Sequence, residues 1–208
     1  MIHLYWDDAP PLAVSALARR WAVLNECEAT LWTPVTVDHE LIAAAHASAT
    51  DVYRPDRVRH VANIVRWWLL LTHGGVWADA DVTPTRSLPL WLINAARPWC
   101  AALGDRLCPF MCGGPARHPL WSAALAAALD HPRGTSPGAS GGGLLARVAG
   151  RQVTGVPARW FATHDATGAP LPGDDAGLYC THEWTTSRRR RERLGAHVTG
   201  LASPIGDP

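Results

Sequence analysis

The stretch Asn63-Ile-Val-Arg66-Trp-Trp-Leu-Leu70-Leu-Thr-His-Gly74-Gly75-Val-Trp-Ala-Asp79-Ala-Asp81-Val82 changes its period halfway along. In its first half and just before it, Val58, Val61, Ala62, Val65, Trp68, Leu69 and Thr72 recur at three- and four-residue spacing. That spacing predicts a helix over 56–72 with these residues as one buried stripe. Arg59, Asn63 and Arg66 then share a second face. Gly74-Gly75 stops the helix, because glycine is favoured in the left-handed conformation just past a helix terminus. The apolar residues 75–78 predict a strand, and Asp79-Ala-Asp81 falls at its carboxyl end.

Outward from this centre the chain keeps alternating. Residues 1–6 predict an opening strand that stops at Asp7-Asp8, 12–24 a helix and 29–32 a second strand. Strand, helix and strand at these lengths indicate an α/β architecture with a mainly parallel central sheet flanked by helices. Further on, 87–93 and 119–129 predict helices and 110–112 a strand. Residues 133–143, rich in glycine and serine, read as a loop with no convincing helix behind it. No internal repeat is visible.

Residues i and i+2 of a strand point to one face, so Asp79 and Asp81 present two carboxylates side by side. Adjacent carboxylates repel, and their usual counter-charge is a divalent cation with hard oxygen ligands. In open α/β sheets the carboxyl ends of the strands are also where ligands bind.

Composition narrows the chemistry. The 208 residues carry 18 acidic and 19 basic side chains, and every basic one is arginine. The absence of lysine excludes phosphate-loop nucleotidases with a GK[ST] step, Schiff-base enzymes and lysine general bases. A net charge of +1 gives no global pull toward nucleic acid or anionic membrane. Five cysteines at irregular spacing, and Asp7-Asp8 where a signal peptide would be basic and then apolar, indicate reduced thiols in a cytoplasmic protein. No apolar run reaches the roughly 20 residues of a membrane span. Of the eleven tryptophans, Trp21, Trp32, Trp67, Trp68, Trp91, Trp99, Trp121 and Trp160 are expected in the core.

The central stretch resembles the sugar-binding DXD region of family 32 glycosyltransferases, a group that includes fungal mannosyltransferases, capsular polysaccharide enzymes and the glucosylating clostridial toxins. That pattern runs from an acidic residue through an arginine three positions later, a leucine, Gly-Gly and an aromatic to Asp-x-Asp. Weaker similarity covers Ile2-His3-Leu-Tyr-Trp6, Leu24-Asn25, Leu31-Trp32, Pro109 to Pro119 and His182-Glu-Trp184-Thr-Thr-Ser187. The resemblance implies a GT-A-like domain over 1–208, with a nucleotide-sugar-binding half (1–82) and an acceptor half (83–208).

It further implies a retaining transferase that moves a sugar from a UDP- or GDP-sugar to an acceptor hydroxyl on a glycan or a protein, and the arginine run at 188–193 adds a modified, hydroxymethylated DNA base to these acceptors. Asp81 would ligate Mn²⁺ or Mg²⁺ directly, Asp79 would bridge donor and metal, and His182 would join them, its nitrogen favouring Mn²⁺. Tyr5 and Trp6 would hold the nucleotide base. Arg66 would bind donor hydroxyls or the diphosphate, and Ser187 the leaving diphosphate. Two positions depart from the pattern. Asn63 stands where the family has an acid, and Arg188 where it has a tryptophan and where an arginine can itself bind phosphate.

Other readings stand beside these. His3 and His182 fit packed, hydrogen-bonded histidines as well as ligands. The run Arg188, Arg189, Arg190, Arg191, Glu192, Arg193 is either a solvated tail or a polyanion surface beside the site. Residues 76–83 also match the nucleophile strand of haloacid-dehalogenase phosphatases, with Asp174-Asp175 as a distal acidic pair, although that family normally holds phosphate with a lysine. A carbohydrate- or nucleic-acid-binding module would use the tryptophans and arginines and has no need of a carboxylate pair.

Overall fold

The computed structural model describes residues 1–49, 54–130, 140–165, 169–172 and 177–182. In chain order they form β1 (Ile2–Tyr5), α1 (Leu12–Asn25), β2 (Ala29–Trp32), α2 (His39–Ser48), α3 (Arg54–His73), β3 (Gly75–Ala78), β4 (Val82–Pro84) and α4 (Leu90–Ile93). There follow β5 (Trp99–Leu103), β6 (Arg106–Gly114), α5 (Pro119–Leu129), α6 (Gly142–Ala149), β7 (Thr154–Pro157), one 3₁₀ turn (Ala158–Trp160) and β8 (Cys180–His182).

Six strands make the central sheet in the order β2-β1-β3-β6-β5-β7. All run one way except β6, which pairs antiparallel with both neighbours. The fold is therefore α/β with a mainly parallel sheet, as the alternation of periods predicts. A separate two-stranded ribbon pairs β4 with β8.

Strand periodicity divides the interior. On β3, Val76 and Ala78 enter the layer beneath α1 and α4, with Trp21 and Leu92, while Trp77 points into the layer beneath α2, α3, α5 and α6. Each fully buried leucine or isoleucine in these layers contributes about 1.5–3 kcal/mol relative to exposure.

The central helix departs from the expected single stripe. Val61, Val65 and Leu69 are buried, but Val58, Ala62 and Trp68 are only half-buried and Thr72 is exposed. Ile64, Trp67 and Leu70, outside the expected stripe, are just as fully buried, and Asn63 and Arg66 nearly so. The helix packs against the sheet on one side and α2 and α5 on others, so burial extends most of the way around it. α2, unforeseen in the sequence, starts at an Asp38 cap whose carboxylate accepts from the Leu41 N–H at 2.9 Å.

Other expectations need correction. Trp91 is 53% exposed, and Trp32, Trp68 and Trp160 are partly buried. α4 is shorter than the predicted 87–93, because Pro89 sets its start. The strand at 110–112 is the buried centre of the nine-residue β6. Gly142 and Gly143, placed in a loop by composition, open α6. All five cysteines are free. No described helix is long and apolar enough to cross a membrane.

The glycine pair works as the spacing predicts. Gly74 and Gly75 have φ of +65° and +83°, and a Cβ on Gly75 would sit 2.4 Å from the Met1 carbonyl oxygen. The close approach lets β3 pair with β1 in the register Ile2 to Val76 and His3 to Trp77.

His3 belongs to the core. The Trp32 indole N–H donates to its Nδ1 at 3.1 Å, so its Nε2 carries the proton and donates to the Gly74 carbonyl at 2.8 Å. Burial pushes its pKa down from 6.5 to about 4, partly opposed by the Gly74 bond. The unfolded chain therefore takes up this proton first as pH falls. The contribution of neutral His3 is intact above pH 6.5 and is lost progressively toward pH 4, up to about 3 kcal/mol. Urea midpoints between pH 7 and 4.5 should fall more steeply for the native protein than for His3→Gln; equal slopes would show that His3 does not set this dependence.

Candidate active site

β3 ends where its ladder with β6 makes a last bond, from the Asp79 N–H to the Phe110 carbonyl at 2.9 Å. The Val82 N–H then bonds the Asp79 carbonyl at 2.9 Å, closing a tight turn that carries Asp81 and starts β4. β4 pairs with β8 in the register Val82 to His182. This pairing brings a histidine 101 residues away in sequence to Asp81, with His182 Nε2 3.0 Å from Asp81 Oδ1. The Phe110 ring lies 4.4 Å from the His182 ring, centroid to centroid. One ligand atom each from Asp79, Asp81 and His182 fall within 4.8 Å of one another. The acidic pair predicted to need a counter-charge thus acquires a third donor from the far end of the chain.

Asp79 is anchored from behind. Arg66 Nη2 donates to its Oδ1 at 2.7 Å, and the Trp77 indole N–H donates to the same oxygen at 2.7 Å. Arg66 is only 4% exposed and Asp79 intermediate. The guanidinium carbon lies 4.9 Å from the Trp77 ring centroid and 5.4 Å from that of Trp67, within cation–π range of both. Its Nη1 donates to Asn63 Oδ1 at 2.8 Å, and Asn63 Nδ2 donates to Ser140 Oγ at 3.1 Å.

The other sequence candidates divide. Tyr5 and Trp6 lie at the carboxyl end of β1, the strand next to β3, so they share the sheet edge of the acidic pair. Tyr5 is buried and donates its hydroxyl to Asp7 Oδ1 at 2.6 Å. Burial, with the Asp7 bond and charge, raises its phenol well above the ordinary range. Trp6 is half-buried. Ser187 and the arginines Arg188, Arg189, Arg190, Arg191 and Arg193 lie outside the described residues, as does the acidic pair at 174–175.

Trp77, Trp67 and Ser140 also belong to the site, beyond the residues that the sequence pattern singles out. Trp77 had a signal, since it sits two residues before Asp79 on a strand and so shares its face. Trp67 was assigned to the core alone; it is fully buried, but it also flanks Arg66 and donates to the Ser140 carbonyl at 3.0 Å. Nothing in the local pattern marked Ser140.

Trp77→Phe keeps a ring beneath Arg66 and removes one donor from a carboxylate. Hydrogen bonds to charged groups are worth about 1.5–3 kcal/mol. The variant should lose stability of that order in urea denaturation at pH 7, whereas a loss under 0.5 kcal/mol would mean that Asp79 is held by Arg66 alone.

No protein-family model matches the chain, and no curated protein matches it in sequence. Its fold does match solved structures. One is "PaToxG Glycosyltransferase", at a TM-score of 0.54 and 11% identity, covering 71% of this chain and 66% of that one, just under two thirds of its length. At that identity the likeness is one of fold alone.

Proposed function

We propose that the protein is a metal-dependent, retaining glycosyltransferase of the family 32 kind, moving a sugar from a UDP- or GDP-sugar to an acceptor hydroxyl on a glycan, a protein or a modified DNA base. The observation that carries this reading is the cluster Asp79, Asp81 and His182, within 4.8 Å at the carboxyl edge of a sheet shared with a glycosyltransferase.

The donor set fits the ion. Two carboxylates and an imidazole suit a divalent cation of intermediate hardness, Mn²⁺ ahead of Mg²⁺. Such a cation supplies charge neutralisation for the departing diphosphate. Asp81 and His182 would hold it in place of their mutual hydrogen bond. Asp79 has Oδ1 committed to Arg66 and Trp77, which leaves Oδ2 as its ligand atom.

Tyr5 and Trp6 are assigned to the nucleotide base, Trp6 by stacking. Arg66, buried with both Nη groups engaged, serves the donor site mainly through Asp79. The assignment of Ser187 and Arg188 to the diphosphate, and of the arginine run to a polyanionic acceptor, rests on sequence alone. With the acceptor attacking on the face the diphosphate leaves, its proton passes to the leaving oxygen and no separate general base is required. The phosphatase alternative needs an aspartate free to attack phosphorus. The two donors on Asp79 and the His182 contact on Asp81 favour carboxylates held for a cation.

The test is turnover of UDP- and GDP-sugars by purified protein with Mn²⁺. Hydrolysis or transfer should vanish with EDTA, and Asp81→Ala should lower it at least about 100-fold. Unchanged activity in Asp81→Ala would overturn the reading. Phosphate release from simple monoesters without a nucleotide sugar would favour the phosphatase, and saccharide binding without turnover a binding module.

A further inference from the structure

We infer that Ser140, just before the amino end of α6, and Asn63 on α3 are positioning residues that hold Arg66 on Asp79, and that Asn63 does not grip the donor itself. The inference rests on the site reading above for its catalytic consequence and on the geometry alone for the positioning.

Four side chains form one directional chain. Ser140 Oγ accepts from Asn63 Nδ2 at 3.1 Å, Asn63 Oδ1 accepts from Arg66 Nη1 at 2.8 Å, and Asp79 Oδ1 accepts from Arg66 Nη2 at 2.7 Å. Ser140 is fully buried, Asn63 and Arg66 nearly so. A guanidinium only donates, so the Asn63 amide must turn its oxygen to Arg66 and its nitrogen to Ser140. Asparagine accepts at one end and donates at the other; an aspartate would accept at both, from Arg66 and from a Ser140 hydroxyl turned round to donate.

A carboxylate at 63 would also compete for the same guanidinium. Arg66 would then sit between two buried anions, and its hold on Asp79 Oδ1 would be shared.

The glycines beside Ser140 fit this placement. A Cβ on Gly141 would lie 3.2 Å from Asn63 Nδ2, and one on Gly142 would lie 2.4 Å from the Leu107 carbonyl oxygen. Only a chain without side chains there brings the start of α6 this close to α3 and β6. The Trp67 indole N–H, donating to the Ser140 carbonyl, fixes the backbone at the same point.

The experiment follows the Arg66 guanidinium directly by ¹⁵N-arginine NMR, its signals assigned by their loss in Arg66→Lys. Its Nη protons should exchange slowly in the native protein and at least tenfold faster in Ser140→Ala and in Asn63→Ala. Thermal melts confirm that each variant is folded, and the two variants reach Arg66 independently. With a nucleotide sugar and Mn²⁺, kcat should drop roughly tenfold at unchanged donor KM. Native exchange rates in both variants would overturn the inference. So would a raised KM at unchanged kcat, which would put Asn63 on the donor. If the native protein turns over no nucleotide sugar while Arg66 still loosens in the variants, the glycosyltransferase reading fails and the positioning role stands.

Discussion

The buried ion pair between Arg66 and Asp79 is the constraint around which the rest of the site is arranged. Removing a guanidinium from water costs several kcal/mol unless its donors and charge are met inside. Here Asp79 meets the charge, Asn63 takes a second donor, and the faces of Trp67 and Trp77 flank the cation. The compensating groups come from two elements: two from α3 itself, two from β3 and its end. The helix and the strand must therefore keep one relative position, or an unpaired charge is left in the interior.

That position depends on the short link between them. Gly74 and Gly75 turn the chain in about two residues, through a conformation that other side chains adopt only with strain, and Gly75 clears the Met1 carbonyl. The same pair allows β3 to lie between β1 and β6. At the far end of β3 the tight turn after Asp79 reverses the chain into β4, and β8 pairs with it to bring His182 in. Anchoring on one side of the acidic pair and pairing on the other divide the labour: Arg66 restrains Asp79, while His182 meets Asp81.

Much of this framework was legible in the residues. The stretch from Asn63 to Val82 foretold the helix, the glycine stop, the strand and the paired carboxylates at its end, because periodicity and glycine conformation are local properties. The errors also have local causes. A helix packed on several sides has no single apolar face, so the expected stripe on α3 mixed buried Val61 and Leu69 with exposed Thr72. Glycines at 141–143 look like loop residues because composition does not reveal that two of them abut Asn63 and the Leu107 carbonyl. Trp91 was placed inside on hydrophobicity, yet a four-residue helix with Leu92 turned inward leaves it outside.

By itself the sequence determined the alternation of elements, the absence of lysine chemistry and the presence of two carboxylates at a strand end. These depend on neighbouring residues and on composition, which the chain carries wherever it folds. Only the tertiary structure decided that His182 meets Asp81 across 101 residues, that Trp77 and Arg66 share one oxygen of Asp79, and that Ser140 stands behind Asn63. Those contacts join segments whose separation along the chain says nothing of their distance in space. They exist because strand pairing and the burial of a charged side chain allow few arrangements in which the charge and most of its donors are met.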